Sequence, residues 1–171
     1  QGLANTAWAL AKLPSCEREL MGRLAEEVLR GLRGFAPQGL ANIAWAFATV
    51  GLRSQRLMDA IAGELVSSIG VWSYQNLANI AWAFAKLNLE HLQLTETIAL
   101  AAVRTIHEWN SLNIASVMWA FGRLLVVHGQ VYDCMERECL QKLWDFSAQN
   151  LVNVAWSFAK LVQQRAVLHK L

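Results

Sequence analysis

Asn5, Asn42 and Asn79 stand 37 residues apart in this 171-residue chain, and Asn153 falls on the same grid two intervals later. Seven places beyond each grid point come Lys12, Thr49, Lys86, Arg123 and Lys160. Four places before it come Gln1, Gln38, Gln75, Leu112 and Gln149. An amide side chain offers both donors and an acceptor, so it can pair with the exposed edge of an unpaired base. Lys and Arg meet phosphates through charge-assisted hydrogen bonds. Amides in a row with one cation per interval suit a flexible polyanion, and single-stranded RNA fits that description.

Other chemistry finds little support. His91, His107, His128 and His169 are scattered and read as helix-surface residues. Cys16, Cys134 and Cys139 are odd in number and lack paired spacing, so they read as reduced thiols buried in helices rather than a disulfide framework or zinc site. No phosphate-binding glycine loop, metal-ligand pair or nucleophile motif occurs. The expectation is therefore a protein that is not an enzyme, with no catalytic residue, no metal and no cofactor.

The elements that position the amides repeat with them. Trp8, Trp45, Trp82, Trp119 and Trp156 are each 37 residues apart, inside the phrases "LANTAWALAKL", "LANIAWAFATV", "LANIAWAFAKL", "IASVMWAFGRL" and "LVNVAWSFAKL". Each unit reads as two helices. The first covers about 13 residues from the Gln position. Ser73, Asn110 and Ser147 supply N-caps, and Pro37 a first-turn proline. Pro14, Gly51 and Asn88 end three copies, whereas the fourth has no breaker before Gly129 and is expected to run on. In the second helix, Leu20, Leu24, Val28, Leu32 and Phe35 recur as Leu57, Ile61, Leu65, Ile69 and Trp72. They recur again as Leu94, Ile98, Ala102, Ile106 and Trp109, in steps that read as one helical stripe. Helix pairs at fixed period stack into an α-solenoid, so the fold class is all-α, a solenoid of helix-turn-helix repeats with a 37-residue period. Its units are 1–37, 38–74, 75–111, 112–148 and a partial 149–171, about four and a half repeats. The chain opens inside a motif and stops partway through a second helix, so it is expected to be a piece of a longer protein.

Composition is consistent with this. Hydrophobic residues make up 55% and charged residues 16%, against about 25% in an average chain. The longest apolar stretch, residues 114–127, is cut by Gly122 and Arg123 and falls short of the ~20 residues a bilayer span needs. No signal peptide is visible. Net charge, +2, is too small to identify a partner, but its distribution is informative. All 13 acidic residues lie outside the first helices, which carry Lys12, Lys86, Arg123 and Lys160.

Number each unit from its Gln. On a helical wheel, positions 1, 12, 5, 9 and 2 then share an arc about 100° wide. Position 9 (Ala9, Ala46, Ala83, Ala120 and Ser157) is expected to leave that surface low and accessible. Position 2 (Gly2, Gly39, Asn76, Asn113 and Asn150) lies on it too. The Trp at position 8 is expected at the strip's edge, packing between successive units. Two alternatives stay open. The Asn ladder can bond neighbouring repeats or cap a preceding turn, and the cations can serve helix C-termini, which favour positive charge.

These phrases resemble those of the octotricopeptide and heptatricopeptide families, organellar helical-repeat proteins, over essentially the whole chain. "QNLANIAWAFAKL" is close to the recurring family phrase, and the 37-residue period favours the heptatricopeptide variety. The resemblance implies RNA binding in a mitochondrion or chloroplast. It places Asn5, Asn42, Asn79 and Asn153, with Lys12, Lys86, Arg123 and Lys160, against RNA, and Gln38, Gln75 and Gln149 share their strip. Implied partners are single-stranded or ribosomal RNA and ribosomal or other organellar proteins. The alternative is a protein-interaction scaffold, such as a structural component of a mitochondrial ribosome. The fourth unit departs from the pattern with Leu112, Ser116 and Met118, which leaves RNA contact there open beside a shifted helix pair or a protein contact.

Overall fold

Ser73 Oγ accepts the backbone N–H of Asn76 at 3.3 Å, Asn110 Oδ1 that of Asn113 at 2.8 Å, and Ser147 Oγ that of Asn150 at 3.2 Å. Each bond satisfies one of the orphan donors of a helix start, as the three residue types predict. Pro37 occupies the first turn of another helix. In the computed structural model, which describes residues 2–13 and 18–168, these caps open the repeated first helices. The helices are α1 (Gly2–Lys12), α2 (Arg18–Arg30), α3 (Pro37–Thr49), α4 (Gln55–Ser67) and α5 (Tyr74–Lys86). They continue as α6 (Leu92–Thr105), α7 (Ser111–Leu124), α8 (Gly129–Gln141) and α9 (Ala148–Leu168). The protein is all-α, with no strand among the described residues. Gln1, Pro14, Cys16 and His169, on which sequence readings also fall, lie outside the described residues.

The odd helices pack in succession, α1 on α3, α3 on α5, α5 on α7 and α7 on α9. The even helices α2, α4, α6 and α8 form a second succession with looser contacts. Alanine explains the difference, because small side chains let helix backbones approach. Leu40, Phe47, Leu77, Phe84 and Phe121 point from the odd helices into the core, where they meet Met58, Ile61, Leu65, Ile98 and Met135 of the even ones. None of the described helices is long and apolar enough to cross a membrane.

Three sequence expectations are corrected. α7 does not run on to Gly129. It stops at Leu124, and Leu125 takes the left-handed conformation (φ 55°) that Gly51 (67°) and Asn88 (53°) take in the two preceding units. The next N–H then reaches back five residues in every case, Leu52 to Phe47, Leu89 to Phe84 and Val126 to Phe121, each at 2.9 Å. That is the closure of a Schellman turn. The fourth unit therefore keeps the register of the others, and the run-on helix is α9 instead.

Nor is the second-helix stripe one helix. A 3₁₀ turn follows each even helix, at Leu32–Gly34, Ile69–Val71, Ile106–Glu108 and Leu143–Asp145. The final step of three in the stripe is the 3₁₀ period, three residues per turn. It delivers Trp72 and Trp109 into the core, where their indole N–H groups donate to Ser68 Oγ (3.1 Å) and Thr105 Oγ1 (3.0 Å). Leu20, the first residue of the stripe, is exposed.

His91 and His128 are the third correction. They stand 37 residues apart and occupy the N-cap positions of α6 and α8. His91 Nδ1 accepts the N–H of Leu94 at 3.2 Å, while Nδ1 of His128 is buried with no partner among the described residues. His107 is a surface residue, as expected. Cys134 and Cys139 are free thiols on α8, half-buried and buried respectively.

Candidate nucleic-acid interface

α3, α5 and α7 are each sandwiched between two odd neighbours and backed by the even layer, so only a narrow outer arc of them remains open, whereas α1 and α9 have one odd neighbour each. Gln38, Gln75 and Gln149 are exposed on it. So are Asn5, Lys12, Lys86, Arg123 and Lys160, while Asn42, Asn79 and Asn153 are half-buried. The sequence-predicted residues thus share one outer surface of the odd layer.

Two parts of the expected strip are not surface. Whereas Ala9 at position 9 of the terminal helix α1 is exposed, as expected, Ala46, Ala83, Ala120 and Ser157 at that position are fully buried. They face the adjoining odd helix, and their small size permits its approach. Gly122 shows how close this is, since a Cβ there would stand 3.0 Å from Ser157 Cα. Asn76 and Asn113 at position 2 are also buried, in the first turns that Ser73 and Asn110 cap.

The Trp at position 8 takes the vacated place on the strip. Trp8 and Trp156 are exposed, and Trp45, Trp82 and Trp119 are half-buried. At about 100° per residue, position 8 falls within about 20° of position 1. The wheel therefore held the signal, although apolar character weighed against it. Ring centroids are 6.3 Å apart between Trp45 and Trp82 and 6.4 Å between Trp82 and Trp119. The expected packing between successive units is real for Trp45, Trp82 and Trp119, but it takes place at the surface as a rail of indoles, with Trp8 and Trp156 in the same repeat position at its ends. Cations line it. Lys12 Nζ stands 5.6 Å from the Trp8 ring and 5.2 Å from that of Trp45. The Arg123 guanidinium lies 5.7 Å from Trp119, and Lys160 Nζ 6.0 Å from Trp156.

Electrostatically the two layers differ. On the even side Arg23 pairs with Glu19, Arg56 with Glu26, and Lys142 with Glu138. Among the described residues no acid pairs with Lys12, Lys86, Arg123 or Lys160, and α1, α3, α5, α7 and α9 contain no acid. Arg123 does serve a helix C-terminus, its Nε donating to the Ala85 carbonyl of α5 at 2.8 Å. Among the described residues the side chains of Asn42 and Asn79 make no hydrogen bond to a neighbouring unit, and the side chain of Asn153 accepts only from Gln149 on its own helix, at 3.2 Å.

A family model described as "RNA-editing substrate-binding complex 6 protein" matches residues 1–92 and, in a second match, residues 34–168. The two matches overlap, as stretches of one recurring pattern do. No curated protein matches the chain.

Proposed function

The chain belongs to the RNA-editing substrate-binding complex 6 protein family, and on that premise we propose that it is an RNA-binding α-solenoid. In this reading, 37-residue helix pairs hold single-stranded RNA along the outer face of the odd helices. One observation carries it. Lys12, Lys86, Arg123 and Lys160 share a surface with open amides and no neutralising acid, whereas on the even side Arg23, Arg30, Arg56 and Lys142 each pair with a carboxylate. A cation without a carboxylate partner is available to a phosphate, and an amide without an internal bond is available to a base edge. The protein acts by occupancy, protecting or positioning RNA within a larger assembly, and performs no chemistry on it. Its setting is an organelle, a mitochondrion in preference to a chloroplast, following the resemblance and the editing complex named in the family description.

A scaffold reading is favoured by a different observation. Trp144 in the last 3₁₀ turn is 94% exposed, beside exposed Leu140 and Leu143, on the side away from the strip. Apolar surface of that kind marks protein contacts, and the two surfaces can serve one assembly. Fluorescence anisotropy with a labelled 12-nucleotide RNA tests the RNA reading. The chain should bind the single strand, and Lys12→Gln/Lys86→Gln/Lys160→Gln should lose at least tenfold in affinity with its fold intact. Equal affinity of the triple variant would sink it.

A further inference from the structure

We propose that the indole rail of Trp8, Trp45, Trp82, Trp119 and Trp156 is a stacking surface for the bases of the bound strand, about one base per unit. The inference rests on the RNA reading and adds to it a site and a mode of recognition, since electrostatics alone requires no aromatic ring.

Three observations support it. The rings lie on the exposed arc, and Trp45, Trp82 and Trp119 stay half-buried although Ala46, Ala83 and Ala120 beside them are fully buried. An indole kept only for packing has no reason to sit on the one arc that its neighbours leave open. The 6.3 and 6.4 Å ring separations fall at the wide end of the roughly 4.5–7 Å range of aromatic pairs, so the indoles do not close on one another face to face. Each ring keeps apolar surface that a flat base can cover. Finally, cations stand 5.2–6.0 Å from the centroids of Trp8, Trp45, Trp119 and Trp156. A base on a ring thus brings its own phosphate within reach of a positive charge. Aromatic rings alternating with positive charge along a groove are the general device for holding single strands with little sequence preference. The amides at positions 1 and 5 then border the stacked bases and can bond their edges.

The test uses Trp144→Phe as background, which removes the one fully exposed indole outside the rail. Tryptophan emission is titrated with rU12, with rA12 and with an abasic ribose-phosphate 12-mer. Stacking predicts quenching by both base-bearing strands, and affinity for the abasic strand lower by more than the roughly 5- to 150-fold that one stacked base contributes. Trp82→Leu should weaken rU12 binding by the roughly 5- to 150-fold of one base, whereas Trp82→Phe, which keeps a ring, should hold most of it. Where Trp82→Leu fails to fold, Trp8→Leu at the more exposed ring makes the same comparison. Salt-sensitive binding with unchanged emission and equal affinity for the abasic strand would overturn the rail while leaving the RNA reading in place. Failure of every strand to bind would overturn both.

Discussion

Leu125 adopts a left-handed backbone where the two preceding units have Gly51 and Asn88. A side chain with a Cβ is disfavoured there by roughly 1–2 kcal/mol, less so for Asn, whose short polar group tolerates it. Leu125 is 45% exposed, so little burial offsets the strain. Leu125→Asn should therefore raise stability by about 0.5–1 kcal/mol and the melting temperature by about 2 °C, read by thermal unfolding. Cys139 makes a pH prediction. Burial, first, and the Glu138 charge push its thiol up from 9.0 to about 11, against a lowering contribution from Lys142. The thiol is raised in the folded state, so its contribution is complete below pH 9 and lost as pH rises from about 9 to 11. Wild type should lose stability across that window by on the order of 2 kcal/mol more than Cys139→Ala, in urea unfolding at each pH. The Asn79 side chain makes no hydrogen bond among the described residues. Asn79→Ala should therefore change stability by no more than about 0.5 kcal/mol while weakening RNA binding, and a large stability loss would restore the structural-ladder alternative.

At the scale of elements, close approach between odd helices is the feature most open to test. Gly122 on α7 faces Ser157 on α9, and an added Cβ would meet its backbone at 3.0 Å. Gly122→Ala should cost about 1–3 kcal/mol by overpacking, measured as a lowered urea midpoint with native helicity retained. The contacts also show what the sequence could and could not reveal. The all-helical class and the caps at Ser73, Asn110 and Ser147 were legible because each depends on local chemistry. The step of three before Trp72 and Trp109 recorded the 3₁₀ turn, but the surrounding four-residue rhythm concealed it. Position 9 was misplaced for another reason. A wheel orders residues around one axis and does not say which flanks neighbours cover. Odd helices on both flanks bury Ala83 and Ala120 and shift the open arc toward Trp82 and Trp119. Burial also sets the cost of losing Trp82. A half-buried indole costs less to remove than the about 3–5 kcal/mol of a full core truncation, so Trp82→Ala should cost about half of that.

Across the whole molecule, charge is sorted by layer rather than by amount. The net charge is only +2, yet every acid lies off the odd helices. The ion pairs of the even layer, such as Arg23 with Glu19 at 77% and 80% side-chain exposure, contribute little to stability. Their larger effect is to leave one surface positive and the other near neutral. A single strand laid along Lys12, Lys86, Arg123 and Lys160 would release condensed counterions at each phosphate contact. Four such contacts predict a slope of log affinity against log salt near −2.8, or roughly a 50-fold loss from about 50 to 200 mM. Lys86→Gln should reduce that slope by about 0.7 and weaken all sequences alike, because a phosphate contact reads no base. Trp82→Leu should instead lower affinity and leave the slope near −2.8, because stacking releases no counterions. Measuring both variants over one salt series separates the phosphate-binding edge of the strip from its stacking rail. A parent chain whose binding ignored salt would remove the electrostatic basis on which the two-layer charge sorting serves RNA.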